Sequence, residues 1–125
     1  MKLRIKGNSI RLRLTRGEVD RFRETGQVAD AIAFGPGPEQ RMTYVLATAE
    51  VPHVQAGFAG RTISVWVPPE LGRAWATSEQ VGFEGEQSVG NGDTLRLLIE
   101  KDFHCLAPRD GEDDSDAYAN PLATT

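Results

Sequence analysis

With a single cysteine, Cys105, the chain cannot form an internal disulfide, and zinc modules built on tandem cysteines are excluded with it. Such usage fits a reducing cytoplasm. Histidine is nearly as scarce, with only His53 and His104. No apolar run approaches the roughly 20 residues that span a bilayer, so no membrane partner is expected. The start, MKLRIKGNSIRLRLT, lacks the apolar stretch of a signal peptide. Gly35-Pro36-Gly37-Pro38 carries two prolines and opens no helix, which removes it as a nucleotide-cradling loop. There is no HExxH, no EF-hand pattern in the acidic stretch and no serine in a nucleophile-elbow setting. No internal repeat is apparent.

What is present is a soluble-domain composition with segregated charge. The 125 residues suffice for one domain with one core, and 39% hydrophobic with 26% charged residues is ordinary for a globular chain. The net charge of −4 hides an asymmetry: residues 1–23 carry eight Lys/Arg against Glu18 and Asp20, whereas the remainder carries six against sixteen acids. An acidic chain with one short basic segment is a poor nucleic-acid binder, where a basic face is usual. The question it raises is what neutralises the basic end.

Taken in order, Lys2–Thr15 reads as a β-hairpin around Gly7-Asn8, because apolar residues alternate at the strand period on either side of a turn that favours positive φ. That register pairs Ile5 with Ile10 and Leu3 with Leu12 on the buried face. It also places Arg4 opposite Arg11 and Lys2 opposite Arg13 on the other. Thr15-x-x-Glu18 is a capping box, and it opens a helix whose Val19 and Phe22 face inward and which Gly26 stops. Strands are predicted over 28–34, 42–50, 55–59, 62–67, 81–86 and 94–103. A second short helix starts at Pro68-Pro69, with Leu71, Ala74 and Trp75 toward the core. The fold class is therefore α+β: a mostly antiparallel sheet of about six or seven strands, curled or partly closed, with two short helices. Residues 1–107 form the domain, and 108–125 an acidic tail that docks on it.

Two sets of residues are candidates for chemistry. Lys2, Arg4, Arg11 and Arg13 share one face of the first hairpin, and like charges directly opposite each other destabilise a sheet. Either the chain's own carboxylates answer them, Glu100 and Asp102 foremost, or the clustered forked donors bind an anion or an acidic partner. Asp102, His104 and Cys105 form a metal-ligand candidate without a recognised spacing. His104 and Cys105 point to opposite faces of a continuing strand, and a small apolar core residue is the commoner fate of an unpaired cysteine such as Cys105. The leading function is a non-catalytic binding or accessory module for an anionic ligand or acidic protein partner. The alternative is a metal-dependent enzyme acting on phosphate-containing substrates through Glu100, Asp102, Cys105 and the arginines. No cofactor is indicated.

KLRIKGNSIRLRLT with the Glu18–Phe22 helix, and the closing block EKDF, Cys, Arg, Glu-Asp and Asn-Pro, resemble a small family of uncharacterised bacterial proteins. The resemblance implies a bacterial cytoplasmic protein of about this size and assigns no catalytic residue. One departure is Tyr118-Ala119-Asn120-Pro121, where the family pattern would put Phe before Asn-Pro. The resemblance also implies that the tail residues are structural partners of the domain.

Overall fold

Alternating apolar residues between tight turns build strands in pairs. The computed structural model describes residues 1–103. Its elements are β1 (Lys2–Ile5), β2 (Ser9–Leu14), α1 (Arg16–Thr25), β3 (Gln27–Ala33), β4 (Arg41–Thr48), β5 (Gln55–Ala59), β6 (Thr62–Val67), α2 (Pro69–Thr77), β7 (Gly82–Gly90) and β8 (Asp93–Lys101). The chain is α+β with two helices, as its sequence predicts. The strands, however, form two four-stranded sheets, in the orders β1-β2-β8-β7 and β3-β4-β6-β5, instead of one curled sheet of fewer strands. Each hairpin is antiparallel, but the middle of each sheet is parallel, β2 beside β8 and β4 beside β6. Hairpins are written in local turn signals. A parallel seam joins strands distant in sequence and leaves no such signal.

The two sheets expose a duplication. The half β1-β2-α1-β3-β4 and the half β5-β6-α2-β7-β8 repeat one element order. In the first hairpin of each, Leu3 pairs with Leu12 as Ala56 pairs with Val65, and Ile5 with Ile10 as Phe58 with Ile63. Gly7 and Gly60 take the same positive φ in the turns, 55° and 56°, which only glycine adopts without cost. The spacing that takes Leu12 to Val65 also takes Phe22 to Trp75 and Leu46 to Ile99, all buried. It carries the Ser9–Arg96 parallel pair onto Thr62–Thr43 as well. Each half gives one hairpin to each sheet, so the halves are swapped through both parallel seams. This corrects the reading that the chain has no internal repeat. The repeat is kept in size and strand parity while residue identity has diverged.

Burial follows that scheme. Leu12, Leu14, Leu97, Ile99 and Phe83 from the first sheet meet Val28, Leu46, Val65 and Val67 from the second in one core. The helices close one end of it. In α1, Thr15 accepts from the Glu18 N–H at 3.3 Å, and Glu18 accepts from the Thr15 N–H at 3.0 Å, completing the capping box. Val19 and Phe22 are the buried residues of α1. In α2 the buried residues are Gly72 and Trp75. Ala74, expected inside, is exposed, and Ala76 packs on the core in its place. A Cβ on Gly72 would lie 3.0 Å from the Phe22 ring, so the glycine lets the two helices meet. The Trp75 ring then stands edge-on to Phe22 at 5.8 Å and Phe83 at 5.3 Å, and its indole N–H donates to the Val81 carbonyl at 3.1 Å. Since α1 follows β2 and leads into β3, and α2 follows β6 and leads into β7, all four hairpin turns lie at the end of the strands away from the helices.

Candidate functional site

The first hairpin takes the expected register, Lys2 to Arg13, Leu3 to Leu12, Arg4 to Arg11 and Ile5 to Ile10. Because Leu12 and Leu14 point into the core, Arg11 and Arg13 project from the outer face of the first sheet, with Lys2 and Arg4 beside them. The parallel seam then sets β8 alongside, with Arg13 opposite Glu100 and Arg11 opposite Leu98. Leu97 and Ile99 are buried, so Glu100 and Asp102 share the outward face with the cations.

The geometry is graded across that face. The Arg13 Nε donates to Glu100 Oε1 at 2.7 Å, and the Arg11 Nε lies 3.7 Å from the same oxygen. Lys2 Nζ meets Asp102 Oδ2 at 3.1 Å. Two arginines thus converge on one carboxylate oxygen, and the like-charge opposition across the hairpin is relieved from the neighbouring strand. Arg4 is exposed and makes no ion pair among the described residues. On the far side of the sheet, Glu86 approaches Arg96 at 3.9 Å, both well exposed. The face therefore runs from basic at the β1 edge to acidic at the β7 edge, where Glu84 and Glu86 stand.

A second polar group joins the start of β1 to α1 and β3. The Met1 amino group contacts Glu18 and lies 3.5 Å from Asp30, and the Tyr44 hydroxyl donates to the Met1 carbonyl at 3.0 Å. Burial pushes the Glu18 carboxyl up, but hydrogen bonds from the amino group and from Thr15 outweigh it and hold its pKa below the usual value. Burial raises the Tyr44 phenol, reinforced by the charges of Asp30 and Glu18. In the other half the positions of Met1, Glu18 and Tyr44 are taken by Val54, Leu71 and Leu97, all apolar. The cluster fastens an edge strand and offers no open coordination. It predicts a pH effect. The unfolded Glu18 binds protons more tightly than the folded one, so its stabilisation is complete above the unfolded pKa and is lost as pH falls through the folded pKa. Glu18→Gln should lower the melting temperature at neutral pH and flatten its decline in acid, read by thermal denaturation between about pH 6 and 3.

Of the metal candidates, Asp102 is engaged by Lys2, while His104, Cys105 and the acidic segment 108–125 lie outside the described residues. Among the described residues no group of three or more His, Cys, Asp or Glu is placed to hold a metal ion. Among the same residues no helix is long and apolar enough to cross a membrane. The sequence reading missed the exposure of several strand residues with core parity: Ile5 is 59% and Phe58 71% exposed. Alternation alone assigns a side chain to a face and says nothing of where the core ends.

A profile of a family of unknown function (DUF7009) matches residues 1–122. No curated protein and no solved structure matches the chain.

Proposed function

The chain belongs to this family of unknown function, and from the charges on its first sheet we propose that it is a non-catalytic binding or accessory module that recognises an anionic ligand or acidic partner. The observation that carries the reading is Arg4, exposed, set directly opposite Arg11 and without an ion pair among the described residues. The hairpin sets Arg4 and Arg11 on opposite strands of one pair, so their forked donors can converge on a single incoming anion. Glu100 and Asp102 have a second role in this reading. They keep the face from repelling itself when empty, and they compete with a ligand for Arg11, Arg13 and Lys2.

A ligand that binds only the folded state stabilises it by mass action, by about 2.7 kcal/mol at a hundredfold excess over Kd, and so raises the melting temperature. Thermal denaturation with pyrophosphate and with polyglutamate is expected to show a saturable rise that shrinks with added salt. The rise should be lost in Arg4→Ala combined with Arg11→Ala. A rise that survives the double substitution would place the anion elsewhere and refute the reading.

A further inference from the structure

At the end of the sheets away from the helices, the inward-facing apolar rows run past the core into solvent. Ile5 continues the row of Leu3, Phe58 that of Ala56 and Ile32 that of Val28, while Phe34 follows the end of β3 and Val89 sits at the register irregularity near the end of β7. The exposures of Ile5, Phe58, Ile32, Phe34 and Val89 are 59%, 71%, 45%, 71% and 50%. Of the seven exposed large hydrophobics among the described residues, these five stand at this one end, around the mouth between the two sheets. Ile5 matches Phe58 across the duplication, so the two hairpins β1–β2 and β5–β6 present an apolar tip at equivalent positions. An apolar cluster rimmed by polar turns is the usual mark of an interaction site.

The rim indicates the occupant. Lys6, Arg41 and Arg61 lie in or beside the turns at this end, all exposed and without an ion pair among the described residues. Arg4 adjoins them through Ile5. Among the described residues the acids at this end are Glu39 and Asp93, so cations outnumber them there. We infer that the turn end and the adjoining basic face together bind a protein segment that carries acidic residues beside large apolar ones. The apolar side chains enter between the hairpin tips while the carboxylates meet Arg4, Lys6, Arg41 and Arg61. This rests on the proposed function and names the partner class for that surface. Burying the apolar tips supplies a central anchor, and the surrounding cations favour an acidic segment over a basic one.

The test selects random linear peptides displayed on phage against the full chain, then measures the enriched peptide by fluorescence polarisation. The expected sequences combine Asp or Glu with Phe, Leu, Ile or Trp. Affinity should fall at least about tenfold in Phe58→Ser and in Ile5→Ser. These side chains are exposed, so circular dichroism should remain unchanged. Acidic peptides lost on Arg4→Ala but indifferent to Phe58→Ser would overturn the role of the turn end and leave the anion-binding face standing. Peptides indifferent to Arg4→Ala would remove that face itself. Failure to enrich any such peptide overturns the inference. So does a dimer in light scattering that Phe58→Ser dissociates, which would make a second copy the occupant. Co-sedimentation with phosphatidylserine vesicles that requires Phe58, with no peptide binding, would assign the end to lipid and overturn it too.

Discussion

Divided into fragments 1–53 and 54–125, the chain should fold from neither piece alone and should fold when the two are expressed together. The cut falls between His53 and Val54, in the connection from β4 to β5. The first fragment keeps the hairpins β1–β2 and β3–β4 but loses β8 and β6, the parallel partners of β2 and β4. Each sheet is then reduced to one hairpin, and an isolated hairpin is at best marginally stable in water. Half of the shared core goes with it, including Trp75, Leu97 and Ile99. Co-expression with a tag on one fragment should recover both in equal amounts, with a cooperative melt. Because the halves are built alike, any structure that 1–53 gains alone should come with self-association. A monomeric, cooperatively folded fragment 1–53 would contradict the swapped architecture.

Trp75→Ala should be the most damaging single substitution. The side chain has no exposed surface, joins both helices to β7 through two edge-on aromatic contacts, and donates to the Val81 carbonyl. Removing a buried aromatic costs about 3–5 kcal/mol, from transfer and from the cavity left behind. That is a large part of the roughly 5–15 kcal/mol that holds a typical domain. Urea unfolding should show the midpoint fall sharply. Trp66→Ala is the control, since Trp66 lies on the outer face of the second sheet and is only partly buried. Equal losses from the two substitutions would mean that Trp75 is not the centre of the core.

The contrast between what was legible in the sequence and what was not has one physical origin. The hairpin register of residues 2–14, the capping box of Thr15 and Glu18 and the stop at Gly26 all depend on residues within a few positions of one another. Such signals can be read directly. The seams β2–β8 and β4–β6 depend on residues far apart, and parallel pairing has no turn to announce it, so two mixed sheets read as one antiparallel sheet. The duplication is hidden because Phe22 and Trp75, or Leu12 and Val65, conserve bulk and facing without conserving identity. Part of the site was legible. Glu100 and Asp102 share a strand face, which made them the foremost carboxylates to answer the hairpin, and they do contact Lys2, Arg11 and Arg13. The partition among the cations was not, since it depends on β8 reaching β2 while β1 stays at the edge. That edge position leaves Arg4 unanswered among the described residues and the tip at Ile5 in solvent.

The most direct measurement of the anion-binding face compares pyrophosphate and polyglutamate affinity by calorimetry in the parent chain, Arg4→Ala and Glu100→Gln. Arg4→Ala removes a donor, whereas Glu100→Gln removes the internal competitor that holds Arg11 and Arg13. The two changes should shift affinity in opposite directions, weaker for the first and tighter for the second, each by roughly threefold to tenfold at low salt. Affinities that stay unchanged, or that move the same way in both variants, would contradict the assignment of this face.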